Sequence, residues 1–129
     1  MLRKFLYLIL LLSLPLYAEI KFFISDNLLV KHLSKNQIIN LYFKKTKTIN
    51  GQQVVIYDNI DSSDIFYKNI LNKTPSQVHA YWMKQVFLGK NIPPLKLNHE
   101  ELLEKLTQEQ NVIIYSTKDI DARVIYEEN

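Results

Sequence analysis

Between Gln53 and Pro94 the chain places a continuous apolar run, Val54-Val55-Ile56-Tyr57, directly ahead of two helix starts, and closes the second helix with Gly89 and Pro93-Pro94. An unbroken apolar strand suits a sheet covered by helices on both faces, so this run is the candidate central strand. A strand feeding a helix whose first turn reads Asp61-Ser62-Ser63 also aims backbone N–H groups beyond the strand's end, where α/β proteins grip anions.

The first eighteen residues read as a secretory signal. Arg3-Lys4 is a short cationic start, Phe5 to Leu16 is almost wholly apolar, and Ala18 offers a small residue at a cleavage point. A membrane span needs about 20 apolar residues, and this run is shorter and carries Pro15; a retained N-terminal anchor is the alternative. The chain has no Cys, which excludes a lipid-anchored lipoprotein and any disulfide framework. The expected location is the periplasm. Without Arg3 and Lys4 the formal charge falls from +3 to near +1, no footprint for nucleic acid. The remaining residues, 19–129, suit a single domain that buries roughly 60–70% of its unfolded surface.

Local signals organise that domain. Ile20 to Ser25 reads as an apolar strand ending in the turn former Ser25-Asp26-Asn27. Leu33-Ser34-Lys35-Asn36-Gln37-Ile38 carries a capping box and a hydrophobic staple, so a helix starts at Ser34 and should run to about Lys45. Asn50-Gly51 marks a tight hairpin. Asp61 or Ser62 caps the next helix, which Asn72-Lys73 breaks, and Thr74-Pro75-Ser76-Gln77 restarts with a cap, an N1 proline and a returning Gln. That helix should face inward with Val78, Tyr81, Trp82, Gln85 and Val86, and end at Gly89. Leu97-Asn98-His99-Glu100-Glu101-Leu102 repeats the box and staple; Val112 to Tyr115 is a second buried strand and Arg123 to Tyr126 a third, at an edge. The pattern predicts an α/β fold, a mixed sheet flanked by helices.

From about Leu33 to Tyr115 the order of segments resembles one lobe of the phosphate ABC importer's substrate-binding protein, the type 2 periplasmic-binding-protein fold. The resemblance rests on Leu41-Tyr42-Phe43-Lys44-Lys45, Asp61-Ser62-Ser63 before Phe66-Tyr67, Tyr81-Trp82, Phe87-Leu88-Gly89-Lys90 with Pro93-Pro94, and Ile113-Ile114-Tyr115. It implies a single lobe with no catalysis and no cofactor, whose ligand-facing edge is Asp58, Asn59, Asp61, Ser62 and Ser63. The implied ligand is phosphate or another small anion, delivered to an ABC importer or a sensor.

Three residue-level features oppose that transfer. Gly51 and Gly89 are the only glycines, so none sits at the Ser62 turn to let an anion approach the backbone. Arg123, the one Arg outside residues 1–18, is remote in sequence, which leaves no bidentate clamp beside the strand. If Asp61 is the cap, its carboxylate occupies the N–H groups an anion would use. The alternative is therefore a ligand-free module that docks on a membrane sensor or transporter. Enzymatic readings lack an anchor: His32, His79 and His99 stand far apart without a His-Glu-x-x-His pattern, and no Gly-x-Ser-x-Gly elbow occurs. A metal site is not expected.

Overall fold

The computed structural model describes residues 19–128; the signal sequence read at residues 1–18 lies outside them. The chain opens with β1 (Lys21–Ile24), then forms α1 (Lys35–Tyr42), β2 (Thr48–Ile49), β3 (Gln52–Gln53), β4 (Val55–Ile56) and β5 (Asp58–Asn59). A helical run follows, α2 (Ser63–Phe66) passing into a π turn (Tyr67–Leu71), and then α3 (Pro75–Phe87). It closes with β6 (Lys96–Leu97), α4 (His99–Gln108), β7 (Val112–Ser116) and β8 (Arg123–Glu127).

The main sheet has the order β4-β7-β1-β8 and is mixed: β4 runs parallel to β7, while β1 is antiparallel to both β7 and β8. Strand β7 is buried at every position. Its odd and even residues serve two cores on opposite faces, as the period of two demands. Ile113 and Tyr115 join Phe22, Ile38, Phe66, Ile70 and Trp82 beneath α1, the α2 run and α3. Val112 and Ile114 join Phe23, Tyr57, Leu102 and Leu106 beneath α4. Helices thus cover both faces, which makes the α/β layering real.

The predicted caps form. Ser34 with Gln37, Thr74 with Gln77 and Asn98 with Glu101 each make a reciprocal capping box. Asn50 (φ 50°) and Gly51 (φ 80°) turn the β2–β3 hairpin in the left-handed region. Gly89 (φ 65°) follows the last turn of α3, and Asn72 (φ 55°) ends the π turn.

Three expectations are corrected. The apolar run 54–57 is not central: among the described residues β4 pairs with β7 alone and forms the sheet's edge, with Val55 41% exposed. A continuous apolar run reports cover on both faces and carries no information about how many neighbours lie in the plane of the sheet. Helix α1 stops at Tyr42 instead of Lys45, because Lys44 turns left-handed (φ 55°) and the Lys45 N–H closes back on the Asn40 carbonyl. On α3, Val78 and Trp82 are buried, Tyr81 and Gln85 only in part, and Val86 is exposed.

Candidate functional site

Because β4 and β7 run in parallel, their carboxyl ends share one edge of the sheet, and the chain leaves β4 over that edge. Strand β5 pairs in parallel with β6, matching Asp58 to Lys96 and Asn59 to Leu97, and the helical run begins immediately beyond. The β5–α2 corner therefore sits at the carboxyl end of the sheet, where open α/β sheets carry their ligands.

Two buried residues build that corner. Asn59 donates from Nδ2 to the Tyr115 carbonyl at 2.8 Å, while its Oδ1 accepts the N–H groups of Asp61 (2.9 Å) and Ser62 (3.3 Å). Asp58 receives the Tyr67 hydroxyl at 2.5 Å on Oδ2, and the Tyr115 hydroxyl and the Asn59 N–H on Oδ1. Burial first, and then the carboxylate they serve, push both tyrosine hydroxyls far above their usual ionisation range. Asp58 is thus a buried acceptor already engaged by the fold. Beneath it, Tyr115 packs among Phe22, Tyr42 and Phe66, its ring 4.3 Å from that of Phe66, so an aromatic floor holds the corner rigid.

Ser62 occupies the N-cap position, and its hydroxyl makes no capping bond. The first main-chain bond into the helix runs from Phe66 N–H to the Ser62 carbonyl. Among the described residues no group accepts from the N–H of Ser63, Asp64 or Ile65, the orphan donors of a helix start. Ser62 and Ser63 are themselves buried residues, at 3% and 6% exposure. Asp61, by contrast, is exposed and does not cap; Asn59 does that work through its side-chain oxygen. Capping preference alone could not make that assignment, since Asn, Asp and Ser score alike at such positions.

The five sequence-derived residues therefore share one corner: Asp58 and Asn59 are buried in its framework, Ser62 and Ser63 are buried at the helix start, and only Asp61 is exposed. The Ser25-Asp26-Asn27 turn lies elsewhere. Ser25 bonds to Val112 and Asn27 to Asn111, at the amino-terminal edge of β7. Arg123 is at that far edge too, with its guanidinium on the carbonyls of Leu28 and Val30. Lys96 was missed as a candidate: its β6 register places it beside Asp58, and its Nζ stands 5.4 Å from the centre of the Tyr67 ring. Nothing in a lone Lys three residues after Pro93 signals that pairing. Among the described residues no cluster of His, Asp or Glu has the make-up of a metal site.

No protein-family model matches the sequence, and no curated protein sequence does. Solved structures do. A Clostridium perfringens structure described as a phosphate ABC transporter substrate-binding protein with bound phosphate superposes with a TM-score of 0.58 at 18% identity, covering 82% of this chain and 42% of that one. The fold, a mixed sheet flanked by helices, matches a single lobe of that structure. An ABC-type phosphate transport receptor from Vibrio cholerae gives a TM-score of 0.50 at 11% identity, over 82% of this chain and 44% of the other. The chain thus spans less than half the length of the proteins it resembles, and the likeness is one of architecture. Among the described residues no helix is long and apolar enough to cross a membrane.

Proposed function

We propose that this chain is an exported, non-enzymatic binding protein that contacts phosphate or a similar small anion at the β5–α2 corner. It would serve an ABC importer or a sensor. The observation that carries the reading is the set of three main-chain N–H groups, of Ser63, Asp64 and Ile65, that find no acceptor among the described residues at the carboxyl edge of the sheet, with the Ser62 and Ser63 side chains beside them. Converging N–H groups at a helix start favour negative charge. Lys96, paired beside Asp58 with its Nζ 5.4 Å from the centre of the Tyr67 ring, is a cation near the corner, whereas Arg123 is engaged at the opposite edge. Likeness in fold to two proteins named for phosphate transport supports the same ligand class.

A second reading keeps the architecture and discards the solute. Asp61 and Asp64 are exposed at the helix start and Asp58 lies behind it, so an incoming anion meets three carboxylates. On that reading the lobe is an interaction module for a membrane sensor or transporter. Isothermal titration of residues 19–129 with inorganic phosphate at low salt separates the two. Binding that falls about tenfold or more in Ser62→Ala/Ser63→Ala, the worth of one or two hydrogen bonds to a charged group, supports the first. Absence of heat from a folded protein removes it.

A further inference from the structure

Charge is distributed unevenly along this chain, and the fold sorts it onto two faces. Residues 27–57 and 65–99 carry ten lysines and no Asp or Glu, while the rest of 19–129 holds all 13 acidic residues and four basic ones, so a small net charge conceals a strong separation. Helices α1 and α3, which belong to the acid-free stretches, cover one face of the sheet. The opposite face is covered by α4, which carries Glu100, Glu101 and Glu104. The ion pairs among the described residues are Lys21–Asp119 and Lys105–Glu109, so none of the ten lysines has a carboxylate partner there.

Apolar surface collects on the lysine-bearing side. Of the nine large apolar residues exposed among the described residues, six fall between Met83 and Leu95, with Phe87 89% and Ile92 69% exposed. Met83 and Phe87, four apart on α3, share the face turned away from the buried Val78 and Trp82. The end of α3 is therefore apolar outward as well as inward, the pattern of a helix covered on both sides. Lysines frame it: Val86, Lys90 and Ile92 line one groove of about 550 Å³ together with Lys44 and Lys47. Partial burial first, and then the Lys47 charge, hold the Lys44 ammonium below its usual range, so that cation gains when a negative charge arrives.

We infer that the end of α3 and the loop after it dock on the surface of an anionic lipid bilayer, with Phe87 and Ile92 entering the boundary between headgroups and acyl chains and the surrounding lysines resting against lipid phosphates. Protruding apolar side chains ringed by lysines hold a protein on such a surface without crossing it. A protein partner fits less well, because lysine is depleted at the cores of protein interfaces, and a second copy of the chain brings the same lysines to the contact. Docking of this kind is independent of any ligand at the β5–α2 corner.

The test is co-sedimentation with lipid vesicles at low salt, using residues 19–129, which hold every described element; the apolar stretch 5–16 is left out because it would enter lipid by itself. Vesicles of phosphatidylcholine with about 30% phosphatidylglycerol should bind the protein saturably, and pure phosphatidylcholine about tenfold or more less tightly. Lys47→Gln/Lys90→Gln should weaken binding about tenfold, and Phe87→Ser about fivefold or more. All three positions are exposed, so a urea midpoint matching the parent's certifies each fold. In Phe87→Trp, fluorescence should move to the blue on vesicle addition, whereas the parent, whose Trp82 is already buried, should show no shift. The inference is overturned if anionic vesicles fail to bind, if neutral vesicles bind as tightly, if either the lysine pair or Phe87→Ser leaves binding unchanged, or if the Phe87→Trp emission stays where it was. It is equally overturned if the protein alone self-associates in sedimentation and Phe87→Ser abolishes that, which assigns the face to a second copy.

Discussion

The Tyr67 hydroxyl donates to Asp58 Oδ2 at 2.5 Å and so ties the π turn to strand β5 across the floor of the corner. Asp58 also holds the Tyr115 hydroxyl and the Asn59 N–H. Replacing it by Ala strands two buried hydroxyls, and Asp58→Ala should cost about 3 kcal/mol of stability. Tyr67→Phe, which removes one donor, should cost about 1 kcal/mol. Urea denaturation followed by Trp82 fluorescence checks both, and a neutral Asp58→Ala would show that the carboxylate is not a structural acceptor.

Asn59 joins three main-chain groups at one point. An Asp there keeps the acceptor, loses the donor and turns a carboxylate oxygen onto the Tyr115 carbonyl at a position 1% exposed and next to Asp58. We expect Asn59→Ala to destabilise by about 2–3 kcal/mol and Asn59→Asp by at least as much. An Asn59→Asp variant as stable as the parent in equilibrium unfolding would contradict the buried donor.

Arg123 discriminates between the two edges of the sheet. Its contacts to Leu28 and Val30 are structural and remote from Ser62. Arg123→Ala should lower stability by about 1 kcal/mol or more while leaving phosphate affinity, measured by titration calorimetry, unchanged. Loss of affinity in a folded variant would move the anion site to the opposite edge.

The capping boxes at Thr74 and Asn98 rest on local sequence, so each should be severable alone. Thr74→Ala and Asn98→Ala should each cost about 1 kcal/mol. The double variant should show the sum, since the two caps share no bonding partner. Marked non-additivity would mean that α3 and α4 are coupled.

Alkaline pH should unfold the protein. Burial and the Glu109 hydrogen bond push Tyr57 up to about 12, and Tyr42, Tyr67 and Tyr115 are raised by burial first of all. Each binds its proton more tightly folded than unfolded, so the stability it contributes is complete below pH 10, the ordinary tyrosine value, and is lost as pH rises through the folded value. Urea midpoints should be level from pH 7 to 9 and fall between pH 10 and 12, less steeply in Tyr57→Phe. A flat profile through pH 12 would show these hydroxyls to be solvated.

Local sequence settled much of this molecule because the decisive interactions span three or four residues. Ser34 and Gln37, Thr74 and Gln77, Asn98 and Glu101 are cap pairs whose geometry any isolated helix start can satisfy. Asn50-Gly51 likewise dictates a turn by its own conformational freedom. The alternation of strands and helices gave the α/β layers, and Asp61-Ser62-Ser63 marked where the chain turns into a helix. What it could not carry was any relation across long separations. Val54 to Tyr57 reads the same whether its strand is flanked once or twice, and only the pairing with β7 made it an edge. Asp61, Ser62 and Asn59 are all competent caps, and the choice fell to Asn59 because its Nδ2 is anchored on Tyr115, 56 residues away. Lys96 came beside Asp58, and Asp58 under two tyrosines, by packing alone. The physical reason is range: capping and turn formation follow from adjacent residues, whereas burial, ladder neighbours and the partners of a buried carboxylate exist only once the chain has closed on itself.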